Sequence, residues 1–330
     1  MNVPARIANR CRDLLFLPAL DGVWRSRRRS HLLCLRYPRV DEPGRLPFLD
    51  RLLGPPITPT DLLDDLVFLS MQGARFLTFS DLRRGRFPRP EGFGVIVVFD
   101  QGLRQDYFGG LGVIEWLGAR AVVAQATPLL QATTLIAEHA LVWHAADPAR
   151  AERLRDLAHA TLPASRSLQG DALLRHLRTA EPKAALEALL AELAQAPGAA
   201  DRLEELAAEL YPRAEHLRSA RMSHHEIAVS AHHHDPRSGA DDESFEAELA
   251  ASSALITQIT GRRPSAFVYP HHGLSAADLA ICARHYQQVI HRSAAPITPD
   301  TPALELPGCR WPGPPRSALR RRRWLWRGRI

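Results

Sequence analysis

The sequence predicts an α/β protein, a parallel sheet covered by helices in a layer or barrel arrangement. Val95-Ile96-Val97-Val98-Phe99 is a continuous β-branched run with no polar alternation, the pattern of a strand buried on both faces. Similar runs recur along the chain with helical patterns between them, as a sheet covered by helices requires. The length of 330 residues and 45% hydrophobic content supply one large barrel-type domain or two ordinary ones.

Residues 1–31 read as an N-terminal segment. Within it Leu14–Leu20 is apolar but short, interrupted by Pro18 and preceded by Asp13, a poor signal-peptide core and far below the roughly 18 residues of a membrane span. A cytoplasmic location is therefore the default expectation. The first strand is Leu32-Leu33-Cys34-Leu35-Arg36-Tyr37, ended by Pro38, which cannot donate a ladder hydrogen bond. Thr58-Pro59-Thr60-Asp61 opens a helix carrying Leu62, Leu63, Leu66 and Leu69 at helical spacing, with Gly73 to close it. After the run at 95–99 come strands at 120–124, 225–229, 266–269 and 288–291. Asp242 to Thr260 reads as helix, and Ser275-Ala276-Ala277-Asp278 is a capping box opening another. From about 139 to 216 the composition turns to Ala, Leu, Glu and Arg, with Leu186, Leu189, Leu190 and Leu193 on one stripe, the mark of a helical insertion. The segment 307–330 is Pro/Gly-rich, then Arg-rich, and is expected to be poorly ordered.

The net charge of +6 arises almost wholly from arginine, because Lys183 is the only lysine. The excess concentrates in Arg27–Arg29 and Arg320–Arg323, which suggests a weak contact of the C-terminal tail with an anionic surface and no specific nucleic-acid partner. Cys11, Cys34, Cys282 and Cys309 are widely spaced and read as reduced thiols.

Three segments carry polar groups at strand ends, where β/α folds hold their chemistry. Asp100-Gln101-Gly102 follows the buried run, although an acid there is more often a turn or cap residue. Ser230-Ala231-His232-His233-His234 places Ser230, His232 and His234 on one face of an extended segment, a potential ligand set that competes with a solvated histidine loop. Tyr269-Pro270-His271-His272-Gly273 ends a third strand, although plain core aromatic is the commoner role for a residue such as Tyr269.

In this order, the segments resemble the NodB-homology polysaccharide deacetylases, carbohydrate esterase family four. Leu35-Arg36-Tyr37-Pro38-Arg39-Val40 is similar to the family's first strand, and Gly73 to Leu82 to the phrase that follows it. Val98-Phe99-Asp100-Gln101-Gly102 aligns without a gap on the first catalytic motif, and His225-Glu226-Ile227-Ala228 with Ser230 and His234 on the second. Thr260-Gly261-Arg262-Arg263-Pro264 and Phe267-Val268-Tyr269-Pro270 match the third motif and its approach.

The resemblance implies a distorted β/α barrel over residues 32–306 and metal-dependent hydrolysis of N-acetyl groups, carbon–nitrogen bonds outside peptides, on a sugar polymer. It implies Asp100 as general base, zinc as the cofactor, and Tyr269, Pro270 and His271 at the substrate. Of the three metal positions His234 is kept, while Gln101 and Ser230 replace an aspartate and a histidine, and His232 is the neighbouring substitute. No counterpart of the family's general-acid segment follows His291. A neutral amide and a hydroxyl hold zinc far less well than a carboxylate and an imidazole, so a catalytically inactive glycan-binding or pathway-organising protein is the alternative.

Overall fold

A computed structural model describes residue 23 and residues 31–88, 92–230, 242–269, 274–293 and 295–310. Eight strands run through them: β1 (Leu32–Tyr37), β2 (Ala74–Leu77), β3 (Phe93–Phe99), β4 (Val122–Ala126), β5 (Glu226–Ser230), β6 (Ala266–Val268), β7 (Gln288–Arg292) and β8 (Leu306–Arg310). All pair in parallel. Seven close a ring in the order β1-β3-β4-β5-β6-β7-β8 and back to β1, while β2 pairs with the first half of β3. The ring is uneven, since β3 meets β4 through two residue pairs and β1 meets β8 through two, whereas β1 and β3 are paired over six. It is the distorted β/α barrel that the sequence resemblance implies.

The helices follow in chain order as α1 (Asp50–Leu53), α2 (Pro59–Met71), α3 (Phe79–Arg83), α4 (Leu111–Trp116), α5 (Ala137–Ala145), α6 (Pro148–Thr161), α7 (Gly170–Thr179), α8 (Lys183–Leu193), α9 (Ala199–Leu210), α10 (Ala214–Arg218), α11 (Asp242–Thr260) and α12 (Ala276–His285). The caps read from sequence form as expected. The Thr58 side chain accepts from Asp61 N at the start of α2, and Ser275 and Asp278 exchange hydrogen bonds at the start of α12.

The period of two along each strand separates two cores. Leu32, Cys34, Ile96, Val98, Ala124, Ala228, Val268 and Ile290 fill the barrel interior, floored by Leu77, Phe79 and Leu82 from β2 and α3. Their neighbours Leu33, Leu35, Val95, Val97, Phe267 and Val289 face outward and pack with Leu62, Leu66 and Leu69 of α2 and with Leu249 and Ile256 of α11. Between β4 and β5, helices α5 to α8 form a lobe with its own core of Leu141, Leu154, Leu173, Leu177, Leu189 and Leu193, while α9 packs Leu203, Leu206 and Leu210 with Leu49, Leu53 and Leu129, and α10 sets Leu217 in the outer barrel core.

Two strands depart from the sequence expectation. β2 has only four residues with Arg75 among them, too short for periodicity to reveal. β8 reads Leu-Pro-Gly-Cys-Arg, so the barrel continues to Arg310 and does not end at 306. Pro307 and Gly308 disguise it as tail. Gly308 is required, because a Cβ there would lie 2.7 Å from Ile290 Cγ2 and 2.9 Å from Arg36 Cδ. The rest of the Arg-rich tail, 311–330, lies outside the described residues. Cys34, Cys282 and Cys309 are buried free thiols, and the Cys309 thiol donates to the Cys34 carbonyl oxygen at 3.3 Å.

Candidate functional site

The inward series of three strands turns polar at the same end of the barrel. In β1 Leu32 and Cys34 are followed by Arg36, in β3 Ile96 and Val98 by Asp100, and in β5 Ala228 by Ser230. These are the C-terminal strand ends, where packed strands fix the side chains while the connecting loops leave them accessible.

The central contact is between Arg36 and Asp100. Arg36 Nε donates to Asp100 Oδ1 at 2.7 Å, and Arg36 Nη1 donates to the Tyr269 carbonyl oxygen at 3.2 Å. The guanidinium is withdrawn from solvent, with 5% of its side chain exposed, while Asp100 keeps 15%. Thus the carboxylate has one face on the arginine and another toward the mouth. Its backbone is fixed as well, since Asp100 N donates to the Tyr37 carbonyl oxygen at 3.0 Å, prolonging the β1–β3 ladder.

The turn after Asp100 is built on glycine. Gly102 adopts φ +63°, and a Cβ there would come within 2.9 Å of Gln125 Cδ. Gln125 is fully buried beneath it, donating through Nε2 to the Ala126 carbonyl oxygen at 2.7 Å and accepting from the Tyr107 hydroxyl at 2.7 Å. Ala126 then joins the neighbouring positions. Its N–H donates to the Gln101 carbonyl oxygen at 3.3 Å, and it is the ladder partner of Ser230. Gln101 and Ser230 are both buried.

Asp106, first residue of the π-helical turn Asp106–Gly110 that leads into α4, is fully buried, and its two oxygens accept from Val40 N at 3.2 Å and Leu103 N at 2.8 Å. It clamps the loop after β1 to the loop after β3. Burial pushes its carboxyl pKa up to about 8, against the two amide hydrogen bonds that favour the anion, while the charge of Asp100 adds to the rise.

Asp100, Gln101 and Ser230 are therefore gathered at one mouth. Tyr269 contributes its carbonyl oxygen there, but its side chain lies in the outer core, edge-on to Phe267 with ring centroids 6.3 Å apart. His232, His234, Pro270 and His271 lie outside the described residues. Arg36, Asp106 and Gln125 were not singled out from sequence as site residues. Arg36 alone leaves a visible signal, a charge in an otherwise apolar strand.

The described donors do not fit a divalent transition metal. Gln101 and Ser230 offer a neutral amide and a neutral hydroxyl, and the negative charge of Asp100 is already engaged by a guanidinium 2.7 Å away. Among the described residues no group of three His, Cys, Asp or Glu side chains is placed to hold an ion.

Comparison with solved structures fits this architecture. The chain is similar to the Streptococcus pyogenes deacetylase PplD in complex with acetate, at TM-score 0.55 and 12% identity over 86% of this chain and 93% of that one. It is also similar to IcaB from Ammonifex degensii, at TM-score 0.53 and 13% identity over 90% and 97% of the two chains. A third similar structure is BC0361, a polysaccharide deacetylase from Bacillus cereus, at TM-score 0.52 and 13% identity over 86% and 65%. No protein-family model and no curated sequence matches the chain. The fold is that of the NodB-like polysaccharide deacetylases.

Proposed function

We propose that this is a polysaccharide deacetylase-like protein whose barrel mouth takes an N-acetylated sugar polymer and holds it without a zinc ion bound through Gln101 and Ser230. The observation that carries the reading is the ion pair of Arg36 with Asp100. Asp100 stands where the resemblance puts the general base, at the mouth of a deacetylase-type barrel, and its partner is an arginine. The exposed face of Asp100 can accept a hydrogen bond from an acetamide N–H, a hydroxyl or a water. Arg36 fixes the carboxylate's position. An acetamide is a poor electrophile, and Gln101 and Ser230 supply no positive charge for the oxyanion that hydrolysis would create. Recognition without turnover follows from that donor set.

A second reading is favoured by one specific feature, the run His232-His233-His234 immediately after β5. In it these histidines complete a metal site, and the protein is a hydrolase of carbon–nitrogen bonds with Asp100 as base. One experiment separates the two: equilibrium dialysis against chitotetraose, with acetate measured in the same samples with and without added zinc. Binding with no acetate, weakened in Asp100→Ala, supports the first reading. Acetate release abolished in Asp100→Ala replaces it with the second, and neither binding nor release removes both.

A further inference from the structure

A cavity lies at the opposite end of the barrel from Asp100. Its wall includes Glu226 at the start of β5 and Ser265 just before β6, so it opens where the strands begin. Three helices end on it: α3 with Arg83 and Arg84, α10 with Arg218, and α11 with Arg262 and Arg263 just beyond. Its volume is about 950 Å³, within the range of small-molecule sites.

The charge of this cavity is strongly one-sided. Among the described residues five guanidiniums line it against one carboxylate, Glu226. That carboxylate is already engaged, accepting from Ser80 N at 2.7 Å and lying 3.6 Å from Arg83. Arg83 is itself held in place, donating to Ser265 Oγ, to Gln288 Oε1 at 3.2 Å and to Ser80 Oγ at 3.1 Å. Among the described residues Arg84, Arg218, Arg262 and Arg263 have no ion pair, and all four are exposed. Arginine is favoured at helix C-termini for structural reasons alone, because the helix dipole places about half a negative charge there. Three such ends still fall well short of neutralising five full positive charges gathered on one cavity.

Between the arginines the wall is part polar and part apolar. Its apolar surface is supplied by the half-buried Ile227 and Ile259, backed by the buried Leu217, Met222 and Ile256, with Ser219, Ser223 and Thr260 beside them. A guanidinium rim selects phosphate, which arginine binds through paired N–H donors, and an apolar patch selects a hydrocarbon body attached to it.

We propose that this cavity binds a phosphate ester carrying an apolar chain, at a site separate from the carbohydrate mouth. The ligand's phosphate sits among Arg83, Arg84, Arg218, Arg262 and Arg263, and its chain lies on Ile227 and Ile259. The same chemistry is offered by a soluble prenyl or acyl phosphate and by an anionic lipid in a membrane.

The test is calorimetric titration of the full chain with farnesyl diphosphate, with farnesol and inorganic pyrophosphate as its two halves, beside flotation with phosphatidylcholine vesicles with and without phosphatidic acid. Farnesyl diphosphate is expected to bind more tightly than either half, and the Arg262→Gln/Arg263→Gln variant to lose about tenfold or more in affinity. Because both side chains are exposed, the variant keeps its core, and Arg84→Gln/Arg218→Gln provides an independent pair. Vesicle binding that needs phosphatidic acid and the same arginines supports the site with a membrane lipid as its source. Binding of farnesyl diphosphate alone supports it with a soluble source. No binding of either, affinity unchanged in both variants, or pyrophosphate binding as tightly as farnesyl diphosphate would overturn the proposal.

Discussion

Replacing Arg36 by methionine keeps most of the stem that packs in the barrel and removes the guanidinium. The group lost makes a 2.7 Å contact with Asp100 while 5% of the arginine side chain and 15% of the aspartate side chain are exposed. Removing one partner of a pair so far withdrawn from water leaves a carboxylate without its counter-charge, which costs about 3–5 kcal/mol. The bond to the Tyr269 carbonyl oxygen goes with it. Asp100→Asn leaves the guanidinium beside a neutral acceptor and is expected to cost less, about 2 kcal/mol. If the two groups stabilise the barrel through each other, the double variant Arg36→Met/Asp100→Asn loses less than the sum of the single variants by about 2 kcal/mol. Urea unfolding of the four proteins, followed by far-UV circular dichroism with a common slope, measures that difference. Additivity within about 0.5 kcal/mol would show that the pair does not couple and that Arg36 serves the barrel only by packing.

Gly308 makes room for Arg36, so Gly308→Ala is expected to lower stability by about 1–3 kcal/mol in the same urea experiment. Gly112→Ala, inside α4 with open space around it, is the contrasting change and is expected to raise stability by up to about 1 kcal/mol. Stability should also depend on pH through two buried groups with raised and depressed pKa values. Asp106, pushed up to about 8, holds its proton in the folded state while the unfolded carboxyl titrates near its ordinary value of 3.8, so its contribution falls from about pH 4 upward and levels above 8. His144 is pushed down to about 4 by burial first and by Arg150 and Arg153 next, so its contribution rises between about 4 and 6.5 and opposes that fall. From pH 6.5 to 8 only Asp106 of the two still acts, and stability should drop there by about 1.5 kcal/mol, a drop absent in Asp106→Asn. A wild-type stability that is flat across that interval would place the Asp106 pKa near its ordinary value.

Much of the barrel is legible in the chain because its inner strands are continuous apolar runs and its helices begin at side-chain caps. The run at 95–99 and the caps at Thr58 and Ser275 lie where the sequence puts them. β2 and β8 escape, one for its four-residue length, the other because the close approach of Arg36 and Ile290 demands a glycine that composition reads as tail. Asp100 is legible because an acid ends a buried strand. Arg36 shows only as a charge in an apolar strand, and its role is not legible, since that depends on its parity in β1 and on a carboxylate supplied by β3, a tertiary relation that no local window contains. Asp106 escapes for a similar reason, as its partners are the backbone N–H groups of two separate loops.

Zinc titration of the metal-free protein by calorimetry tests the central claim most directly, beside Gln101→Asp/Ser230→His. The account expects no stoichiometric zinc binding by the natural chain and one bound ion in the double variant, which restores a carboxylate and an imidazole at the two strand ends. One equivalent of zinc held tightly by the natural chain, and lost on His234→Ala, would contradict it.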